Sequence, residues 1–169
     1  MAWVSPTNGP VGSAGYGSHS SLFTFGADGK GRAVFDRNEL RVLPREECIH
    51  LLTTNDLSVG RVGLVDQGRP IVLPVNYRVR GDAVVFRTDP GTKLDAATKG
   101  AWVAFEVDKV DTQWREGWSV LVQGRAERVD SPEELERLRQ LLPLHPWAPG
   151  DKAHYVRIPM THVSGRQII

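Results

Sequence analysis

The sequence has little of what marks several common protein classes. Its 169 residues include one cysteine, Cys48, which excludes a disulfide within the chain and a zinc site built from several cysteines. No run approaches the ~18 consecutive apolar residues that a membrane-spanning helix needs, and no secretory signal pattern is present. Lys and Arg together number 21 against 20 Asp and Glu, so no excess of charge favours nucleic acid or an anionic membrane as a partner. We therefore expect a cytoplasmic protein that binds neither.

Composition divides the chain near Asp36. Residues 1–35 hold 7 of the 17 glycines, with serines and prolines and little apolar periodicity, which predicts a flexible N-terminal arm. Its aromatic residues leave open a docked tail or a lid over a site: Trp3, Tyr16, Phe23 and Phe25. Residues 36–169 are long enough for one hydrophobic core and are expected to form one domain, whose fold should survive deletion of the arm.

Apolar periodicity after Asp36 predicts many strands and few helices. Short helices are expected over 44–53, after Gly91, and after the capping residue Ser131. The expected strands cover 61–65, 71–77, 82–88, 101–107, 118–129, 155–159 and 163–169. Turn residues between the first three strands indicate an antiparallel meander. The pattern predicts a mainly β fold with short helices, arranged as a small antiparallel barrel.

Familiar catalytic motifs are absent from the sequence. There is no phosphate loop, no Gly-x-Ser-x-Gly elbow and no His-Glu-x-x-His, and the five histidines show no metal-ligand spacing. The sequence therefore assigns neither a metal site nor an acid–base residue.

Residues 86–94 have the chemistry of an anion site. A strand is expected to end at Thr88, and Thr92 can cap a following helix whose first backbone amides would be unpaired and favour a phosphate. Arg87 and Lys93 could supply the neutralising cations. The alternative is that Thr92 only caps the helix and Lys93 is a solvated surface side chain.

Two further segments are unusual. Pro74 interrupts an apolar strand, which predicts either an edge strand or a β-bulge that turns backbone amides toward a ligand. Asn76 adds a donor and an acceptor where an apolar residue would suit a strand. Trp118 and Ser119 open the long strand, and Trp118 suits either a core or interface position or a ring-stacking role.

In this order and spacing, the segments resemble the pyridoxamine 5'-phosphate oxidase-like superfamily of flavin-binding split barrels, particularly its small bacterial members. The resemblance covers about Leu43 to Val129. It rests on Gly60-Arg61-Val62-Gly63, Gly68-Arg69-Pro70, Pro74-Val75-Asn76-Tyr77, Phe86-Arg87-Thr88, Gly91-Thr92-Lys93-Leu94, Trp118-Ser119-Val120 and Gly124-Arg125-Ala126. It implies a dimeric antiparallel split β-barrel with FMN bound at the interface of a homodimer.

The same resemblance implies which residues contact the cofactor. In that family the residues matching Thr88 and Lys93 approach the FMN phosphate, and backbone around Val75 and Asn76 faces the isoalloxazine ring. The expected cofactor-binding residues are Pro74, Val75, Asn76, Tyr77, Arg87, Thr88, Thr92, Lys93, Trp118 and Ser119. The expected activity is that of an FMN-dependent oxidoreductase acting on a small-molecule substrate.

Departures from the family pattern argue against two activities and one cofactor that occur in the family. The chain ends with residues 163–169, Val-Ser-Gly-Arg-Gln-Ile-Ile, and lacks the C-terminal Arg-Leu-Ala-Pro motif of the true pyridoxamine phosphate oxidases, so vitamin B6 salvage is not expected. Arg87 stands near the position of a histidine in the nitroimidazole-resistance branch, which argues against that activity. No histidine falls in the matching segments, which makes haem the less suitable cofactor.

Two alternatives remain open. One is an F420-dependent reductase of the same fold, whose acidic coenzyme tail would need cations such as Arg78, Arg80 or Lys99. The other is a flavin-binding module without turnover. In either case we expect a dimer, with the apolar face of Trp118, Val120 and Val122 as its interface.

Overall fold

The structure is a computed structural model that describes residues 33–56, 58–92, 94, 99–141 and 152–168. This part of the chain forms a mainly β fold with two helices. Its elements are β1 (Arg41–Leu43), α1 (Arg45–Thr54), β2 (Val59–Asp66), β3 (Arg69–Arg80), β4 (Ala83–Thr88), β5 (Lys99–Asp111), β6 (Glu116–Arg128), α2 (Pro132–Leu141), β7 (His154–Pro159) and β8 (His162–Ile168). Neither helix is long and apolar enough to cross a membrane.

The strands form one antiparallel sheet that closes on itself. Its order is β1-β8-β6-β5-β2-β3-β4-β7, and β7 also pairs with β6, so six strands from β6 to β7 make a closed barrel. On the edge of β6 that does not pair with β5, residues 117–123 pair with β8 and residues 127–128 pair with β7. The predicted antiparallel split barrel is confirmed, including the meander of β2, β3 and β4.

The barrel interior is filled by side chains that alternate along the strands. Tyr77, Phe86 and Phe105 are the largest of the fully buried side chains, and the rings of Tyr77 and Phe105 meet edge to face with centroids 4.9 Å apart. The Tyr77 hydroxyl donates a hydrogen bond of 2.8 Å to the carbonyl of Leu52, which ties α1 to the barrel. The Tyr77 ring is therefore removed from water while its hydroxyl keeps a hydrogen-bond partner.

The structure corrects one surface expectation. Val120 and Val122 are fully buried, and Trp118 packs against the same core. Val120 and Val122, which the sequence suggested as part of a dimer interface, therefore lie inside the barrel, whereas Trp118 is only partly buried. Strand alternation identifies residues that share a face, but it does not say what covers that face.

Other predicted segments are either present in the structure or lie outside the described residues. The helix expected over 44–53 is present as α1, and β1 is an additional short strand that pairs with β8. The helix expected after Gly91 lies mostly outside the described residues. Residues 1–32 of the expected arm also lie outside them, so the arm stays a prediction.

Gly124 allows the barrel to close. A Cβ atom at this position would lie 2.1 Å from the Pro159 carbonyl oxygen, whereas one at Gly63 would meet nothing nearer than 3.7 Å. We expect Gly124→Ala to lower the free energy of unfolding by about 1–3 kcal/mol through overpacking. We expect Gly63→Ala to change it by less than about 0.5 kcal/mol. Urea unfolding of both variants measures the difference, and equal stabilities would contradict this role of Gly124.

Candidate functional site

A cavity of about 210 Å³ lies at the end of β4, between β3 and Lys152, which stands two residues before the start of β7. The recorded pairing of β3 with β4 ends where Tyr77 faces Phe86. Residues 74–76 and 87–88 lie beyond that pair, and the cavity opens between them. Its lining consists of Leu73, Pro74, Val75, Asn76, Arg87, Thr88, Asp89, Thr92, Leu94 and Lys152.

The cavity brings together two of the segments singled out in the sequence. The predicted site residues that line it are Pro74, Val75, Asn76, Arg87, Thr88 and Thr92. Arg87 and Thr88 are neighbours on a strand, whose side chains ordinarily point to opposite faces, yet both contribute to this lining. Lys93 lies outside the described residues, and its contact with a cofactor stays a prediction.

The remaining predicted residues lie elsewhere. The Tyr77 side chain lies in the barrel core, where burial raises the pKa of its hydroxyl, and its contact with a cofactor stays a prediction. Trp118 and Ser119 line a different, smaller cavity of about 80 Å³ beside Arg166 and Gln167. Within one chain these two residues are not part of the β4 cavity.

Two hydroxyl groups mark the polar side of the cavity. Thr88 is 4% exposed, and its Oγ1 lies 2.9 Å from Oγ1 of Thr92. The Thr92 hydroxyl donates to the backbone carbonyl of Asp89 at 3.0 Å, so it holds the turn that follows β4. Since each hydroxyl carries one proton, Thr88 donates to Thr92 here, and a bound phosphate oxygen would accept a proton from Thr88 or Thr92 only in place of one of these bonds.

Asp89 and Lys152 also belong to the site and were missed in the sequence. The Lys152 backbone N–H donates to Asp89 Oδ1 at 2.9 Å, and its ammonium pairs with Asp89 Oδ2. The hydrogen bond from the ammonium first, and that from the backbone N–H after it, lower the pKa of the Asp89 carboxyl. The two residues are 63 positions apart, so only the pairing of β4 with β7 brings them together.

Arg87 lies on the same polar side and is held there by two contacts. Its Nε donates a hydrogen bond of 2.8 Å to the carbonyl of Lys152, and its guanidinium carbon lies 5.2 Å from the centre of the Tyr155 ring. Together with Lys152 it gives two cations against the single carboxylate of Asp89 among the described lining residues. The resulting positive charge suits an anion.

The wall that β3 contributes to the cavity is mostly apolar. Its lining residues are Leu73, Pro74, Val75 and Asn76, and Leu94 also lines the cavity. Proline has no backbone N–H to leave unpaired, so this wall suits a flat ring better than it suits an ion. The cavity therefore combines a polar side suited to an anionic group with a mostly apolar side suited to a flat ring.

The chain is similar to known proteins over most of its length. A family model described as pyridoxamine 5'-phosphate oxidase matches residues 44–167. The uncharacterised protein Rv0080 of Mycobacterium tuberculosis is 35% identical over 136 aligned positions, in a match that covers 78% of this chain and 87% of that protein. The matched region runs from the start of α1 into β8.

Two solved structures share the fold at appreciable sequence identity. An FAD-binding protein from Mycobacterium smegmatis has a TM-score of 0.63 and 31% identity, over 75% of this chain and 97% of its own. An FAD-binding protein from Mesorhizobium loti has a TM-score of 0.62 and 29% identity, over 77% of this chain and 99% of its own.

The hydroxyl pair on the polar side can be tested by a double-mutant cycle. Thr88→Val and Thr92→Val each remove a hydroxyl and keep the shape of the side chain. Because the two hydroxyls are bonded to each other, we expect the double variant to lose about 0.5–1.5 kcal/mol less stability than the sum of the single variants. Urea unfolding measures all four proteins, and additivity within about 0.3 kcal/mol would show that the bond does not contribute.

Proposed function

The chain belongs to the pyridoxamine 5'-phosphate oxidase-like family, and on that premise we propose that it is a flavin-dependent oxidoreductase whose cofactor binds in the β4 cavity. When bound, a flavin supplies hydride or electron transfer, and the protein supplies position and electrostatics. The substrate is then a small molecule that reaches the mostly apolar side of the cavity.

The observation that carries this proposal is the division of the cavity into two chemically different sides. Arg87, Thr88 and Thr92 offer cationic and hydroxyl groups on one side, and β3 offers a mostly apolar wall on the other. A flavin nucleotide has the same division, since it joins a flat ring system to a phosphate. The residues present therefore fit the phosphate and the ring of one molecule.

The first candidate for the cofactor is FMN, the simplest flavin that carries a phosphate. FAD contains the same riboflavin 5'-phosphate with an adenylate added, so the β4 cavity suits the shared part of both. The names of the related structures from Mycobacterium smegmatis and Mesorhizobium loti favour FAD. Identification of the released cofactor decides between the two forms.

F420 is the weaker candidate because its acidic tail would need cations beyond the polar side of the cavity. Arg80, one of the residues considered for that role, lines a separate cavity of about 340 Å³. The walls of that cavity balance Arg80 and Arg137 against the carboxylates of Glu133 and Glu134. This cavity therefore offers an acidic tail no excess of positive charge.

We also propose that a second copy of the chain completes the site. The cavity of about 210 Å³ is smaller than the ~300–1,000 Å³ of typical ligand pockets. Val72 is 64% exposed, and by strand alternation it shares the outer face of β3 with Pro74, which lines the cavity. A copy docked on this face would cover the cavity and bring its own residues to the ring, with Trp118 and Ser119 as candidates.

The same outer face carries further exposed apolar residues. Val65 on β2 is 69% exposed and Trp102 on β5 is 51% exposed. The registers place Gly63 opposite both Val72 and Ala104, so β3, β2 and β5 present one continuous surface. Apolar surface of this kind marks association sites in soluble proteins. It replaces the face of Trp118, Val120 and Val122 as the proposed interface.

Within the described lining, the chain binds and orients the cofactor but shows no spare acid or base. The single carboxylate, Asp89, is paired with Lys152. Flavin chemistry does not always need a protein acid, so an enzyme and a flavin-binding module without turnover differ here only in whether a substrate is reduced or oxidised.

Cofactor identity is the first test. We expect the full chain, purified from cells, to show the absorption bands of an oxidised flavin, and heat release followed by mass spectrometry to give FMN or FAD. Addition of a reductant should bleach the bands, since bound flavin accepts electrons. The bands of F420 or haem would replace the proposal, and a colourless protein that binds neither FMN nor FAD on titration would contradict it.

The proposed interface is tested by a charge placed on it. We expect sedimentation of the wild-type chain at micromolar concentration to give the mass of a dimer, and Val72→Glu to give a monomer with weaker flavin binding, because a buried unpaired carboxylate is costly. The matched control is Trp114→Glu, since Trp114 is 56% exposed in the β5–β6 turn, outside this face. A wild-type monomer that binds flavin tightly would refute the shared site.

A further inference from the structure

The presence of a carboxylate beside a proposed phosphate site requires an explanation, because its negative charge repels the anion. Asp89 lines the same cavity as Arg87, Thr88 and Thr92. Its two oxygens are both engaged by Lys152, one by the backbone N–H and the other by the ammonium. The carboxylate is therefore directed at a neighbouring segment of the protein.

The backbone of Lys152 connects Asp89 to Arg87. The N–H of Lys152 donates to Asp89 at 2.9 Å, and the carbonyl of Lys152 accepts from Nε of Arg87 at 2.8 Å. Lys152 also has a φ angle of 43°, in the left-handed region that residues other than glycine seldom adopt. A conformation of this kind persists only where surrounding contacts hold it, and the Asp89 contacts supply that hold.

We propose that Asp89 is a positioning residue for phosphate binding: it fixes the Lys152 backbone so that the Lys152 carbonyl orients the Arg87 guanidinium, and the Lys152 ammonium neutralises Asp89 instead of binding the phosphate. This inference rests on the proposed function, since the anion is the phosphate of a flavin. It separates the two cations of the described lining by role, with Arg87 toward the phosphate and Lys152 toward the carboxylate.

The proposal distinguishes two properties of Asp89 that different substitutions remove. Asp89→Asn keeps an oxygen acceptor for the Lys152 N–H and removes the charge, whereas Asp89→Ala removes both. Because both variants lack the negative charge, the difference between them measures the acceptor alone. We expect Asp89→Asn to bind FMN as tightly as the wild type or more tightly, and Asp89→Ala to bind it about tenfold or more weakly than Asp89→Asn.

A second pair of variants tests the role of the ammonium. Lys152→Met leaves the backbone contacts possible but exposes the phosphate to an unneutralised carboxylate, so FMN affinity should fall. Adding Asp89→Asn to Lys152→Met removes that charge and should return the affinity to within about threefold of the wild type. If the ammonium bound the phosphate directly, the double variant would remain as weak as Lys152→Met.

Riboflavin is the control ligand because it has the ring of FMN but no phosphate. We expect all four variants to bind riboflavin as the wild type does, and their melting temperatures without ligand show whether each is folded. Equal losses for riboflavin and FMN would mean that the pair only maintains the fold, which would overturn the proposal. If Asp89→Ala does not fold, the rescue of Lys152→Met by Asp89→Asn decides the question.

The outcomes also separate this inference from the function on which it rests. A wild-type chain that binds neither FMN nor FAD overturns the proposed function and this inference with it. A wild-type chain that binds FMN, with Asp89→Asn and Asp89→Ala equally affected or with no rescue of Lys152→Met, overturns this inference and leaves the proposed function standing.

Discussion

The structure depends on the pairing of β7 with the end of β6. Because β7 also pairs with β4, at the other end of the sheet order, this contact closes the barrel. Closure requires a close backbone approach at Gly124, where a side chain would meet the Pro159 carbonyl. The same pairing with β4 carries the start of β7 to the end of β4, and so brings Lys152 to Asp89. Barrel closure and the polar side of the cavity are consequences of the same strand.

The chemistry of the cavity follows from the way in which β3 and β4 separate. The two strands are paired from Arg80 and Ala83 to Tyr77 and Phe86, and the large side chains of Tyr77 and Phe86 fill the core. Beyond that point β3 contributes a mostly apolar wall around Pro74, and β4 ends in Thr88 and a polar turn. Each strand therefore supplies one chemical character, and the cavity combines them because the strands diverge.

The sequence predicts much of this arrangement where the information is local. Alternation and turn residues predict the strands, and the change from strand to turn after Thr88 predicts an anion site, because both signals lie within a few residues of each other. Lys152 could not be found in that way, since its contact with Asp89 spans 63 positions and depends on barrel closure. The face of Val120 was assigned to an interface for a related reason, because periodicity does not reveal which side of a strand faces the interior.

The charges of the chain explain why positioning matters at this site. A net charge of +1 provides almost no long-range attraction for an anion, so affinity must come from groups in direct contact with it. Among the described lining residues, Lys152 is already paired with Asp89, so in the proposed site this part of the chain offers the phosphate mainly the guanidinium of Arg87. A flexible arginine would lose side-chain entropy on binding, whereas one held through Nε by the Lys152 carbonyl and over the Tyr155 ring has already lost it. On this basis, the acceptor oxygen of Asp89 favours phosphate binding in the proposed site, because it holds the Lys152 backbone that orients the Arg87 guanidinium.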